Sequence, residues 1–116
     1  MKISDTLTNQ KKELEYSDKV RIYLCGVTVY DQSHIGHART IIVFDALRRF
    51  LEANNIPVEL IQNFTDVDDK IINRAKEQGE SPNGLSRKYI QTYFEDSDRL
   101  NTVSYTHLTL PTTPYV

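Results

Sequence analysis

Cysteine is nearly absent from this sequence. Cys25 is the only one in 116 residues, so no disulfide can form within the chain. Glycine and proline are sparse, at four each, which excludes collagen-like repeats and Gly/Pro-rich linkers. No apolar run is long enough to span a bilayer, and the N-terminus has no apolar stretch resembling a secretory signal. Excess positive charge is also missing. A formal net charge of -2 argues against a generic nucleic-acid-binding surface, though it leaves room for one specific RNA partner. These absences point to a reducing, cytoplasmic setting without a membrane partner.

What is present is ordinary globular composition, 39% hydrophobic and 26% charged. The length suits one domain of modest size. Composition changes abruptly near the C-terminus. All 14 basic and 16 acidic side chains lie within residues 1–102, and the last 14 residues carry none. That tail, 103–116, has four Thr and two Pro and no helical or strand period. It resembles a translated sequencing-library adapter, because one frame of a transposon end encodes Val-Ser-Tyr-Thr-His-Leu. The reading is therefore a native part, 1–102, followed by a non-native tail that forms no domain. His107 is set aside as a ligand for the same reason.

Residues 19–25 alternate and are rich in Val, Ile, Tyr and Leu, which predicts a strand followed by a loop over 26–35. A helical pattern follows over 36–54, with Val43, Leu47, Phe50, Leu51 and Asn54 on one face and Arg48, Arg49 and Glu52 on the other. Asn54-Asn55-Ile56-Pro57 stops it. Residues 58–64 read as a second strand. Thr65 or Asp66 is placed to cap the next helix, which Val67, Ile71 and Ala75 give an apolar stripe and Gly79 ends. Ser81-Pro82-Asn83-Gly84 reads as a turn, and 85–100 as a third helix with Leu85, Tyr89, Tyr93 and Leu100 inward. Strand, helix, strand, helix, helix implies an α/β fold with a right-handed crossover and a parallel sheet. Two strands leave that sheet incomplete, as in half of a domain.

Three constellations can carry chemistry. Ser33-His34-Ile35-Gly36-His37 falls between the first strand and the first helix. Ligands of parallel α/β sheets bind beyond the strands' carboxyl ends, where a helix N-terminus offers N–H groups to an anion. Two imidazoles there add donors, and Gly36 leaves room for a flat ring. Cys25-Gly26-Val27-Thr28-Val29-Tyr30-Asp31 faces the same crevice. Zinc ligand, nucleophile and small buried hydrophobe are all open roles for Cys25, and the last is commonest for a free thiol. The third is the acidic run Asn63-Phe64-Thr65-Asp66-Val67-Asp68-Asp69-Lys70. It fails the calcium-loop template, since Ile71 stands where glycine is required, and helix capping accounts for most of its carboxylates. Thr65 and Asp66 nonetheless sit at a strand end, where substrate contacts are expected.

Taken together, these segments resemble the cysteinyl-tRNA synthetases, a class I aminoacyl-tRNA synthetase family. The resemblance rests on Asp5-Thr6-Leu7-Thr8, on Cys25 to Asp31, on His34-Ile35-Gly36-His37-Ala38-Arg39, and on Asn63 to Ile72, in that order. It implies the N-terminal half of a Rossmann-like nucleotide-binding domain. The implied activity is formation of cysteinyl-adenylate from cysteine and ATP, with Mg2+, and transfer of the cysteinyl group to tRNA(Cys). By resemblance, His34 and His37 are the catalytic donors to phosphate, with Gly36 completing the ATP site. Cys25 is one ligand of a substrate-binding zinc ion, and Thr28, Thr65 and Asp66 hold the amino acid. The other zinc ligands and the second class signature are expected downstream, so the chain alone is expected to be inactive. The complete protein is expected to be monomeric. Two alternatives stay open: a zinc-dependent cysteine ligase of small-thiol biosynthesis, and a truncated, non-catalytic protein that binds nucleotide or RNA.

Overall fold

The computed structural model describes residues 1–102 and the backbone of 107–109. It opens with a hairpin that hydrophobic patterning did not reveal. Strands β1 (Lys2–Asp5) and β2 (Gln10–Glu13) pair antiparallel, Lys2 opposite Glu13 and Asp5 opposite Gln10. Its strands are almost wholly exposed, so no period-2 burial marks them. The turn is built by polar groups instead. Asp5 accepts from the Leu7 N–H at 3.0 Å and from the Thr8 hydroxyl at 2.7 Å, and Asn9 takes a left-handed conformation.

The main sheet is parallel. Strand β3 (Val20–Thr28) is followed by helix α1 (Ile35–Ala53) and then by β4 (Val58–Thr65), which pairs with β3. Helices α2 (Asp69–Gln78) and α3 (Pro82–Arg99) come next. A third strand, β5 (His107–Thr109), pairs parallel with β4, so the sheet order is β3-β4-β5. The expected two-stranded sheet thus gains a strand from the segment set aside as a tail. The rest of that tail, 103–106 and 110–116, lies outside the described residues. Strand β3 also runs three residues further than predicted, because Val27 and Thr28 resume pairing with Phe64 and Thr65.

The helices form where predicted, but their inward faces differ. In α1 the buried residues are Ile41, Asp45 and Leu51, while Val43 and Phe50 are more than half exposed. Arg48, expected to face away, has a side chain only 12% exposed. Asp45 can be buried because Arg49 and Arg48 reach it at 2.6 and 3.2 Å. An apolar-only reading of the helix cannot see a buried stripe that contains its own ion pairs. The helix stops as expected, with Asn55 left-handed just before Ile56-Pro57.

The cap of α2 is Asp68 rather than Thr65 or Asp66. Its side chain accepts from the Lys70 N–H at 2.8 Å. The predicted stripe holds for Ile71 and Ala75, but Val67 lies before the helix and is exposed. Gly79 closes the helix with φ 67°. Ser81-Pro82-Asn83-Gly84 is the opening of α3, not a separate turn. Ser81 accepts from the Gly84 N–H at 3.1 Å, and Pro82 occupies a first-turn position that needs no N–H donor. Leu85, Tyr89 and Tyr93 are buried as expected, whereas Leu100 is 39% exposed at the C-cap.

The core between the sheet and α2–α3 gathers Val29, Ile41, Phe64, Ile71, Ala75, Leu85, Tyr89 and Tyr93. Phe64 meets Tyr93 edge-on, with ring centroids 5.2 Å apart. Ser86 donates to the Asp66 carbonyl at 2.8 Å and so ties α3 to the end of β4. The helix-face assignment is directly testable. Ile71→Ala should lower unfolding free energy by about 2–5 kcal/mol, whereas Val67→Ala should change it by less than ~0.5 kcal/mol. Urea denaturation of the two variants checks this, and equal losses would contradict the packing described.

Candidate functional site

The site begins with an irregularity in β3. Leu24 lies opposite Gln62 and Val27 opposite Phe64, so Cys25 and Gly26 together face the single residue Asn63. This is a β-bulge in a parallel pair. Asn63 holds it twice over. Its side-chain carbonyl accepts from the Gly26 N–H at 2.5 Å. Its main chain passes so close to Gly26 that a Cβ there would fall on the Asn63 carbonyl. Glycine is needed at this point for close approach of two backbones. The neighbouring Cys25 is left as an exposed free thiol at the mouth of the crevice. Of the roles open to it, the structure of this chain does not show the buried small hydrophobe.

At the start of α1 the two histidines cap their own helix. The Gly36 N–H donates to His34 Nδ1 at 3.1 Å, and the His34 N–H donates to His37 Nδ1 at 3.1 Å. This is a capping box built from imidazoles. Its chemical consequence is tautomeric. Each Nδ1 is an acceptor, so each neutral ring carries its proton on Nε2, free to donate elsewhere. The rings stack with centroids 3.9 Å apart. Burial, and then the neighbouring His34, push the His37 pKa below the ordinary imidazole value, so near neutral pH it is an uncharged donor. Gly36 is part of the same arrangement. A Cβ there would meet the His34 ring at 2.9 Å.

Bulge and capped helix open onto one cleft of about 450 Å3. Cys25, Thr28, His34 and His37 line it, from the first two sequence segments, together with Lys70 from the third. Gly36, Thr65 and Asp66 are not among its lining residues. Thr65 is beside Thr28 in register, and its carbonyl accepts from the Val29 N–H at 3.3 Å. The Asp66 carbonyl is the one held by Ser86. Gln62 and Tyr93 lie outside the three segments and Lys70, the end of the third, has no role assigned from sequence, yet all three line the cleft. Gln62 is 1% exposed and accepts from the Tyr93 hydroxyl at 3.2 Å. A polar residue in the middle of a predicted core strand was the available signal for it. Asp31 also lines the cleft and is tied to Arg74 of α2 at 2.6 Å.

A zinc site needs three or four ligands. Among the described residues no three His, Cys, Asp or Glu side chains gather, so these residues do not by themselves fit that metal. Cys25 offers it one thiol.

Comparison with known proteins accords with this geometry. The family model described as "tRNA synthetases class I (C) catalytic domain" matches residues 11–113. Cysteine--tRNA ligase of Gloeothece citriformis is 52% identical over 101 residues, covering 85% of this chain and 21% of that protein. The Pyrococcus horikoshii cysteine--tRNA ligase is 51% identical over 102 residues, covering 86% and 21%. The chain therefore spans about a fifth of the length of these curated relatives. Among solved structures, Mycobacterium tuberculosis methionyl-tRNA synthetase bound by methionyl-adenylate superposes with a TM-score of 0.75 at 20% identity. It covers 81% of this chain and 18% of that one. At that identity the likeness is one of fold, the Rossmann-like arrangement expected from the sequence.

The bulge gives a sharp test. Gly26→Ala should cost at least ~3 kcal/mol, because the obstructing group is backbone that cannot step aside. Asn63→Ala, which removes one hydrogen bond, should cost only about 1 kcal/mol. Thermal denaturation followed by circular dichroism distinguishes them. A Gly26→Ala protein as stable as the parent would refute the close approach.

Proposed function

Because the chain belongs to the class I (C) tRNA synthetase catalytic-domain family, we propose that it is the ATP-cradling part of a cysteine--tRNA ligase. The observation that carries this reading is the convergence of Cys25, Thr28, His34 and His37 on one cleft at the carboxyl end of a parallel sheet. The complete protein joins the cysteine carboxylate to the α-phosphate of ATP, with loss of pyrophosphate. It then passes the cysteinyl group to the terminal ribose of tRNA(Cys).

The chain's own residues contribute positioning and charge stabilisation. His34 and His37 present Nε2–H donors toward phosphate oxygens on which negative charge grows, while their Nδ1 atoms stay locked in the capping box. A neutral His37 suits this role, since it donates without exchanging its own proton. Gly36 keeps the helix start low enough for the His34 ring, and for an adenine ring, to lie against it. Thr28 would contact the cysteine, with Thr65 beside it in register and Asp66 just past the end of β4. Cys25 is the thiolate this chain would contribute to a zinc ion whose other ligands belong to the remaining four-fifths of the protein. The setting is cytoplasmic and the complete protein monomeric. No helix among the described residues is long and apolar enough to cross a membrane.

The domain boundary belongs to the same reading: 1–102 is native and 103–116 a translated adapter. The family match runs on to residue 113, and β5 lies beyond the boundary. Adapter codons in the nucleotide sequence from residue 103 are the expected finding, and unrelated codons would remove the idea.

The function is tested with the full-length gene product. It should catalyse cysteine-dependent ATP–pyrophosphate exchange, and His37→Ala should lower that rate about 10²-fold or more. The 116-residue chain alone should show none. Exchange with another amino acid but not with cysteine would overturn the assignment.

A further inference from the structure

The cleft holds two formally charged side chains, Asp31 and Lys70, and only one of them is matched. Asp31 is engaged on both oxygens, accepting from Arg74 at 2.6 Å and from the Gln32 N–H at 2.8 Å. Lys70 is different. Among the described residues it forms no ion pair, and its ammonium lies 5.7 Å from the centre of the Tyr30 ring, another cleft residue. Its place in the fold is electrostatically awkward. It is the second residue of α2, where the positive end of the helix dipole disfavours a cation. The nearest capping carboxylate, Asp68, accepts from the Lys70 main chain, not from its ammonium. Lys88 offers a contrast: it also lies over a tyrosine, Tyr89, at 5.6 Å, but it pairs with Glu80 and stands outside the cleft.

We infer that Lys70 is a phosphate-binding residue of the nucleotide site, an anion contact delivered from α2 to the cleft whose other donors come from α1. This rests on the proposed nucleotide-binding reading and extends it to a side chain of the third sequence segment that has no assigned role there. The Tyr30 ring holds the alkylammonium over the cleft without neutralising it, since a ring face attracts a cation but brings no counter-charge. The Asp31–Arg74 pair has a complementary effect. It commits the one cleft carboxylate to Arg74, and among the described residues Asp31 makes no ion pair with Lys70. The polyphosphate of ATP supplies the missing charge, which an uncharged nucleoside cannot.

Ligand-observed NMR of the whole chain with ATP and with adenosine tests the inference. The variants are Lys70→Gln, Lys70→Arg and, as a control for surface charge, Lys88→Gln. Lys70→Gln should weaken ATP binding about tenfold and leave adenosine binding unchanged. Lys70→Arg should retain most of the ATP affinity, and Lys88→Gln all of it. The melting temperature of Lys70→Gln should not fall, because the variant removes a cation from a helix N-terminus. Equal ATP affinity in Lys70→Gln and the parent would overturn the role of Lys70 alone. Equal weakening of ATP and adenosine would also overturn it, as a change of cleft shape and not of phosphate contact. A parent chain that binds neither ligand would overturn the nucleotide-site reading and this inference with it.

Discussion

The close approach of two backbones at Gly26 and Asn63 is the constraint on which the rest of the site depends. Two parallel strands normally keep an even spacing. Here an extra residue is inserted in β3 and its partner strand leans into the space a side chain would fill. Pairing is regained only at Val27 and Phe64, which shifts the end of β3 by one residue against β4. Thr28 and Thr65 therefore end side by side, and the chain leaves the sheet at Val29, a buried residue of the core. Everything downstream, from Tyr30 and Asp31 to the first turn of α1, is aimed by that exit. The same insertion leaves Cys25 exposed.

The second organising element is the histidine capping box. Helix N-termini attract anions because their first N–H groups lack partners. In this chain the Gly36 N–H is already taken by His34, and the His37 and Ala38 N–H groups reach the His34 carbonyl. On the proposed reading, anion recognition at this helix start would fall to the Nε2 edges of the imidazoles more than to bare amides. Satisfying the helix and fixing the tautomers are one set of hydrogen bonds. That economy ties the stability of α1 to the chemistry of its first turn.

Part of the surface reads as the inside of something larger. Tyr23 on β3 and Ile42, Val43 and Phe50 on α1 are large apolar residues open to solvent. On the proposed reading these faces would meet the rest of the complete protein. The polar interior of α1 belongs to the same picture. Asp45 is buried with Arg48 and Arg49 reaching it, so the inward stripe of α1 mixes charge with Ile41 and Leu51, while Ile42, Val43 and Phe50 face outward.

The amino-acid sequence by itself determined the order of elements, the parallel α/β class, the helix stops at Asn55 and Gly79, and the family. These are local matters of period, of residues that tolerate left-handed backbone, and of short motifs kept in order. It also nominated Cys25, Thr28, His34 and His37, which the fold brings into one cleft. Tertiary structure decided the rest. Which face of α1 turns inward depended on ion pairs four residues apart that no hydrophobic pattern records. The hairpin of residues 2–13 depended on side-chain bonds within its turn. The need for glycine at position 26 depended on a strand 37 residues away. Lys70 became a cleft residue only when α2 was set beside the loop after β3. The last two are contacts between distant positions, and the energy of such a contact is fixed by distance in space, which the linear sequence does not contain.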